Sequence, residues 1–300
     1  MSRNHLDIPF QALVERIAPA GTLLDHRALT GGVSAQIDSV RYRLPDGSDG
    51  QFVVRRHGTA AWKALEADVT TCEFKLLATL HRAGMRVPRP LLLDVSAQLL
   101  PSPYLVMEMV PGTTQVPVAQ LDSALAQMAQ FLLSLHAQEI DSATRQRLPQ
   151  REDPVAGALQ YLPMTPAYEP ARVAIRNWRT SPGAAELLHG DFWPGNILWH
   201  EGRLAAVIDW EDAAIGSALS DLAACRAELM VAYGAQAMES FTRHYLDGCT
   251  RDTADLVLWE VYVSSAALAT MADWGLPAAL ETARRQATET FLQGAISRLC

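Results

Sequence analysis

Apolar positions recur with two different periods along this chain, and the change between them predicts its organisation. Before about residue 110, most apolar runs are short and either alternate with polar residues or are wholly apolar, which is typical of β-strands. The strands predicted there are residues 36–44, 52–55, 91–95 and 104–109. Two other stretches, residues 8–18 and 62–82, carry apolar residues three or four positions apart and predict helices.

After Gly112 the helical period dominates. The helices predicted there are residues 121–137, 222–235, 236–247, 253–271 and 276–298. Residues 138–186 hold scattered prolines and little periodicity, which indicates a loop or insertion with a helix. The pattern as a whole predicts the α+β fold class, with an antiparallel sheet and helix first and a mostly helical part after them.

Residues 187–214 follow neither pattern and predict a β-hairpin preceded by a polar loop. Pro194 and Gly195 exclude a continuous helix there, and the predicted strands are residues 197–199 and 204–208, joined by a turn at residues 200–203. Because hairpin strands run antiparallel about 5 Å apart, Asn196 and Asp209 are expected at the same end of the hairpin.

The polar residues around this hairpin have chemistry that a core does not need. An amide oxygen from Asn196 and a carboxylate from Asp209 suit Mg²⁺, which prefers hard oxygen ligands. Asp191, five positions before Asn196, can accept a proton or orient a hydroxyl. The alternative is that Asp191 and Asn196 only cap or turn the backbone. His189 is better explained by bracing the loop than by contact with a substrate.

The spacing resembles the catalytic centre of kinase-like phosphotransferases. His189-Gly190-Asp191 followed by Asn196, and then Ile208-Asp209-Trp210-Glu211, is similar to the aminoglycoside phosphotransferase family and its small-molecule kinase relatives. That resemblance covers roughly residues 25–235. It implies a bilobal protein-kinase-like fold, with a nucleotide-binding N-terminal lobe over residues 1–110, a hinge near Met109, and a catalytic and substrate-binding C-terminal lobe over residues 111–300.

The resemblance also assigns a charged pair in the N-terminal lobe. Arg55, on the predicted strand 52–55, takes the place of the lysine that protein kinases present to the nucleotide phosphates. If the strand register differs by one residue, Arg56 would take this role instead. The other alternative is that Arg55 is only a solvated arginine at a strand end. Glu73, beside the apolar stripe of helix 62–82, is implied as the partner of Arg55, because a half-buried glutamate needs a partner.

Two backbone sites follow from the same resemblance. Gly31, Gly32 and Ser34 match the family's first loop, where paired glycines let the backbone approach a phosphate, although paired glycines between strands are often only a turn. The segment through Glu108 and Val110 matches the hinge, whose main-chain groups bind adenine.

A further aspartate is expected at the start of the helix that follows the hairpin. The resemblance implies that Asp221, as the N-cap of helix 222–235, also supports the loop that carries Asp191.

Composition and charge limit the kinds of molecule that this protein is expected to bind. The net charge of −8 and the lack of a Lys/Arg-rich tract exclude nucleic acid and anionic membranes as expected partners. No apolar run near 18 residues is apparent, so no membrane span is expected, and the first ten residues lack the apolar core of a signal peptide. The four cysteines show no CxxC spacing, which fits a cytoplasmic location.

These observations predict an ATP- or GTP-dependent, Mg²⁺-dependent phosphotransferase acting on a small-molecule hydroxyl. The alternatives are a nucleotide-binding pseudokinase and a protein kinase. A protein kinase is disfavoured because Asp221 follows Asp209 after only 12 positions, which leaves little room for an activation loop.

The charge of the last hundred residues bears on the acceptor. Residues 201–300 hold 14 Asp and Glu against seven Arg and no Lys. A neutral or cationic acceptor is therefore expected, faced by Glu211, Asp212 and Glu228, unless these carboxylates point to water.

Overall fold

The computed structural model describes residues 7–29, 35–57, 63–116, 118–181 and 184–299. The chain divides into two compact units. The first unit comprises Met1–Pro111 and Ala205–Glu211, and the second comprises Gly112–Leu204 and Asp212–Cys300. The division falls one residue after the predicted one at residue 110, and the short segment Ala205–Glu211 belongs to the first unit.

The first unit contains a five-stranded antiparallel sheet in the order β1-β2-β3-β5-β4, which confirms the predicted sheet. Its strands are β1 (Thr22–Leu29), β2 (Ala35–Arg43), β3 (Asp49–His57), β4 (Pro90–Asp94) and β5 (Tyr104–Glu108). Its helices are α1 (Asp7–Ile17) and α2 (Lys63–Arg82).

Strand β3 separates an apolar face from a polar one. Phe52 and Val54 are fully buried in a core with Phe10 and Leu13 of α1. Because side chains alternate along a strand, Arg55 projects from the opposite face, where it meets Glu73 of α2. The register of β3, and with it the expectation that Arg55 rather than Arg56 reaches the helix, is confirmed.

Helices make up most of the second unit, as predicted. They are α3 (Leu121–His136), α4 (Ser142–Arg145), α5 (Pro154–Tyr161), α6 (Glu169–Asn177), α7 (Leu219–Tyr233), α8 (Ala235–Asp247), α9 (Leu256–Thr270) and α10 (Ala278–Leu299). Helix α9 packs against α5, α7 and α10, and α3 packs against α8.

Residues 138–186 contain more structure than the sequence pattern predicts. Three helices, α4, α5 and α6, lie in this stretch, where only one was expected. Two of them carry a proline in the first turn, where its missing N–H loses no hydrogen bond. Asp153 caps α5 by accepting from the N–H groups of Val155 and Ala156. The scattered prolines therefore mark helix starts here.

The predicted hairpin is present as strands β7 (Ile197–His200) and β8 (Arg203–Val207), which form a two-stranded sheet. Its turn places Glu201 at φ 50° and Gly202 at φ 74°, and left-handed conformations at both central positions match the twist of a tight hairpin. Strands β6 (Glu186–Leu188) and β9 (Ala214–Gly216) form a second small sheet, so β6 leads directly into the loop before the hairpin.

One segment corrects the expectation that no apolar run reaches the length of a membrane span. By length and composition alone, the 19 residues Leu256–Trp274, with a mean hydropathy of 1.2, could cross a membrane. Buried core helices pass the same test, and α9 packs against three other helices. Its Glu260 is fully buried and accepts a hydrogen bond from Arg226.

Candidate active site

The loop between β6 and β7, residues 189–196, is here called the HGD loop. It begins with a sharp bend at Gly190, whose φ is 86°. A Cβ atom on Gly190 would lie 1.9 Å from the carbonyl oxygen of Asp212. Only glycine fits this conformation and this approach, so the H-G-D sequence has a steric reason at its second position.

Asp191 and Asn196 are brought together by the HGD loop, as the sequence predicted. Asn196 Nδ2 donates to Asp191 Oδ2 at 2.8 Å and to the Asp191 carbonyl oxygen at 2.9 Å. Asn196 is buried, whereas Asp191 is exposed. The amide nitrogen of Asn196 therefore orients an accessible carboxylate, and its Oδ1 faces elsewhere.

His189 braces the HGD loop from inside. Its ring is fully buried and its Nδ1 accepts from the backbone N–H of Asp191 at 3.2 Å. That bond places the ring proton on Nε2. The structure confirms the sequence interpretation that His189 holds the loop.

Asp221 supports the same loop, but not as a helix N-cap. Helix α7 begins at Leu219, so Asp221 lies in its first turn, and the expected capping role is wrong. Its carboxylate instead accepts from the backbone N–H groups of His189 at 2.8 Å and Gly190 at 3.0 Å. Burial raises the pKa of Asp221, but His136, at 3.3 Å, and the loop N–H bonds outweigh it, so the pKa is lowered overall.

We expect Asp221→Asn to destabilise the protein by about 1–3 kcal/mol, because its amide NH₂ would oppose a buried N–H donor. The pKa of Asp221 is lower in the folded state, so its stabilisation is complete above the unfolded value of about 3.9 and is lost as pH falls through the folded value. Urea unfolding at several pH values would measure this difference between parent and variant.

The difference in unfolding free energy between the parent and Asp221→Asn should stay constant above about pH 4 and shrink below it. The matched control is Asp247→Asn, at the exposed last residue of α8. A surface change of this kind should cost less than about 0.5 kcal/mol. Equal losses in the two variants would contradict a supporting role for Asp221.

Arg55 is the centre of a charged cluster in the first unit. It is 3% exposed, and its Nη2 donates to Asp209 Oδ1 at 2.6 Å and to Glu211 Oε2 at 2.7 Å. Its Nε lies 3.3 Å from Glu73 Oε2, without hydrogen-bond geometry. Burial lowers the pKa of Arg55, but these three carboxylates outweigh burial and raise it. One positive and three negative charges leave an excess of two negative charges.

Two of the carboxylates expected to face an acceptor are already paired. Glu211 bonds Arg55, and both carboxylate oxygens of Glu228 accept from Arg284 Nη2 at 2.6 Å. The charges of these two residues are therefore partly offset by neighbouring arginines. Sequence reasoning missed Glu211 as a partner of Arg55, and its place two residues after Asp209 was the available signal.

The remaining predicted residues are less informative. The backbone N–H of Glu108 donates to the carbonyl of Arg89 at 2.9 Å, so this donor is not available to adenine. Val110 follows the end of β5, and its main-chain contact with a nucleotide stays a prediction. Gly31, Gly32 and Ser34 lie outside the described residues.

The two residues expected to bind Mg²⁺, Asn196 and Asp209, lie in different units of the chain. Asp209, at φ 68°, has a side chain that is 31% exposed, and among the described contacts its Oδ2 has no protein partner. Asn196 keeps Oδ1 for another partner, since Nδ2 serves Asp191. No group of three or more His, Cys, Asp and Glu side chains suited to a metal occurs in the described residues. In proteins, Mg²⁺ is commonly held by one or two carboxylates together with water and substrate phosphates. Joint binding by the two residues stays a prediction.

Solved structures share this fold. A protein from Ralstonia eutropha assigned as an aminoglycoside phosphotransferase superimposes with a TM-score of 0.72 at 14% identity, over 98% of each chain. The GDP complex of aminoglycoside 2'-phosphotransferase-IIIa matches with a TM-score of 0.66 at 16% identity, over 99% of each chain. A choline kinase from Streptococcus pneumoniae matches at 0.61 and 17%, over 97% of this chain and all of that one. The fold is that of the protein-kinase-like phosphotransferases.

The sequence comparison makes the assignment more specific. The profile of the phosphotransferase enzyme family, APH, matches residues 30–256. The chain belongs to this family, as the H-G-D spacing predicted.

One set of curated relatives is much longer than this chain. Acyl-CoA dehydrogenase family member 11 of Rattus norvegicus is 31% identical over 170 residues, which is 50% of this chain and 22% of that protein. The chain thus spans about a fifth of the length of the curated relatives it matches.

Proposed function

We propose that this phosphotransferase moves the γ-phosphate of ATP or GTP to a hydroxyl group of a small molecule. The contact between Asp191 and Asn196 carries the proposal. A buried amide holds an exposed carboxylate in one orientation on a loop braced by His189 and Asp221. Such a group can orient an acceptor hydroxyl and take its proton as the oxygen attacks phosphorus.

The other described residues have supporting roles. When bound, Mg²⁺ would neutralise charge on the transferred phosphate, and Asn196 Oδ1 and Asp209 Oδ2 are the donors proposed to hold it. Arg55 would bind the nucleotide phosphates. Because its Nη2 already serves Asp209 and Glu211, that contact must use Nη1. Glu73 and Glu211 orient the guanidinium.

Relatives suggest which acceptors to test first. Matching structures are described as aminoglycoside phosphotransferases and a choline kinase, so amino sugars and amino alcohols belong in the first set. Curated relatives are named for acyl-CoA dehydrogenases, so hydroxylated acyl-CoA thioesters form a second set of acceptors. The CoA phosphates make this set anionic, whereas the amines of the first set are cationic. A GDP complex among the neighbours supports testing GTP beside ATP.

A coupled assay of nucleoside diphosphate release across both sets would test the proposed function. Release that requires an acceptor and disappears in Asp191→Asn supports it. Calorimetric binding of nucleotide without turnover on any acceptor would favour the pseudokinase alternative.

The charge of the acceptor is a separate prediction. Residues 201–300 remain acidic, with 14 Asp and Glu against seven Arg, although Glu211 and Glu228 are paired. We expect a neutral or cationic acceptor to give the highest kcat/KM, and a cationic one to lose kcat/KM as salt rises, because screening weakens steering. The assay sorted by acceptor charge at two salt concentrations measures this, and a phosphate or carboxylate compound as the best acceptor would show the prediction to be wrong.

A further inference from the structure

The C-terminal helix α10 contacts the HGD loop through one arginine. Arg284 of α10 places its Cζ 6.0 Å from the ring centroid of Trp193 and 5.5 Å from that of Trp274. Its Nη2 donates to both carboxylate oxygens of Glu228 in α7. These four residues are called the Arg284 cluster. Arg284 and Trp274 lie beyond residues 30–256, which the family profile matches.

Trp193 is the member of the Arg284 cluster that belongs to the HGD loop, two residues after Asp191. A Cβ atom on Gly195 would lie 2.2 Å from Cη2 of the Trp193 ring. The ring therefore lies directly against the backbone of Gly195, and Arg284 contacts it as well. A change in the position of this ring would therefore act on the backbone between Asp191 and Asn196.

The cluster is mostly shielded from water, which strengthens its interactions. The side chains of Arg284 and Glu228 are 15% and 20% exposed. The Nε of Arg284 is buried without a hydrogen-bond partner in the described structure, which costs free energy. A guanidinium held by a carboxylate near two indole rings gains cation–π attraction. A lysine would keep the charge but not the planar, multiply donating group.

We propose that Arg284 is a positioning residue that holds Trp193, and through it the HGD loop, in the geometry that presents Asp191 to the acceptor. The C-terminal segment thereby contributes to acceptor use from outside the HGD loop. Glu228 fixes the guanidinium, and Trp274 covers it. The effect on transfer rests on the proposed function, whereas the effect on the loop does not.

Hydrogen exchange of residues 189–196 in the full chain tests the effect on the loop without any acceptor. The informative amide is that of Asn196, which donates to the Trp193 carbonyl at 3.0 Å. In Arg284→Ala we expect this amide to exchange about tenfold faster, as loss of a shielded cation–π contact implies. Arg284→Lys should restore part of the protection, because the positive charge is kept and the planar guanidinium is lost.

The matched control is Arg285→Ala, which removes the same charge from the adjacent position of α10. Arg285 donates hydrogen bonds to Glu281 and to the carbonyl of Leu268, and within the part of the chain that the structure describes it makes no contact with the HGD loop. In Arg285→Ala, the amides of the HGD loop should exchange at the same rate as in the parent. Equal exchange in the Arg284 and Arg285 variants would overturn the proposal. If Arg284→Ala does not fold, Arg284→Lys and Trp274→Phe decide by the same comparison.

Kinetics separate positioning from general stability. With the first acceptor that turns over, Arg284→Ala should change kcat and the acceptor KM while the nucleotide KM stays within about twofold of the parent, and Arg285→Ala should change neither. If the loop exchange differs but no acceptor turns over, the proposed function fails and the positioning role stands. If transfer occurs and the Arg284 and Arg285 variants have equal acceptor parameters, the positioning role fails and the proposed function stands.

Discussion

Replacing Asp191 by Asn is expected to lower kcat by about 10²–10⁴-fold, the range that a general base contributes. Asparagine keeps the size of the side chain but cannot take the proton of an acceptor hydroxyl. Nucleotide affinity should hardly change, because the exposed Asp191 carboxylate is held by Asn196 and is proposed to serve the acceptor. Steady-state kinetics and calorimetry with the nucleotide measure the two effects separately.

The control for this variant is Asp247→Asn, an exposed position on α8, which should keep parental kcat. A kcat for Asp191→Asn within about tenfold of the parent would remove Asp191 from the role of base. Loss of nucleotide affinity together with kcat would instead indicate a damaged loop.

Replacing Asp209 by Ala is expected to abolish Mg²⁺-dependent nucleotide binding, because Mg²⁺ would lose its only charged protein ligand. The same change also removes a partner of the buried Arg55, so a loss of stability must be separated from a loss of metal binding. Calorimetry of nucleotide binding with Mg²⁺ and with a chelator measures the metal-dependent part.

Glu211→Gln is the matched control, because Glu211 bonds the same Nη2 atom of Arg55 but is not proposed as a metal ligand. Both variants should show lower thermal stability. Only Asp209→Ala should lose the difference between nucleotide binding with and without Mg²⁺. An unchanged affinity for the Mg²⁺–nucleotide complex in Asp209→Ala would show that the proposed metal site is wrong.

Local sequence signals predicted much of the fold because their physical causes are local. The apolar period over residues 62–82 corresponds to helix α2, Lys63–Arg82, which buries one stripe against the sheet. The turn at Glu201 and Gly202 requires left-handed conformations that glycine adopts readily, so the hairpin was recognisable. The contact between Asp191 and Asn196 spans only five positions of one loop.

Other features depend on distant partners and could not be predicted. Glu228 was predicted to face the acceptor. In the structure it is paired with Arg284 of α10, which lies 56 residues later in the sequence. Asp221 was expected to cap its own helix. The N–H groups that donate hydrogen bonds to it belong instead to a loop about thirty residues earlier. Only one of the three helices within residues 138–186 was expected, because prolines were treated as breaks, although two of the helices carry a proline in their first turn.

The placement of Ala205–Glu211 with the first unit has a consequence for biosynthesis. A ribosome releases Arg55 long before two of its three partners, because Asp209 follows it by 154 residues and Glu211 by 156. Closing so long a loop is entropically costly, and a buried guanidinium lacking these carboxylates is unfavourable. The unit that is synthesised first is thus completed only after about half of the other has been synthesised. A gene divided after Pro111 would separate Arg55 from two of its three carboxylates.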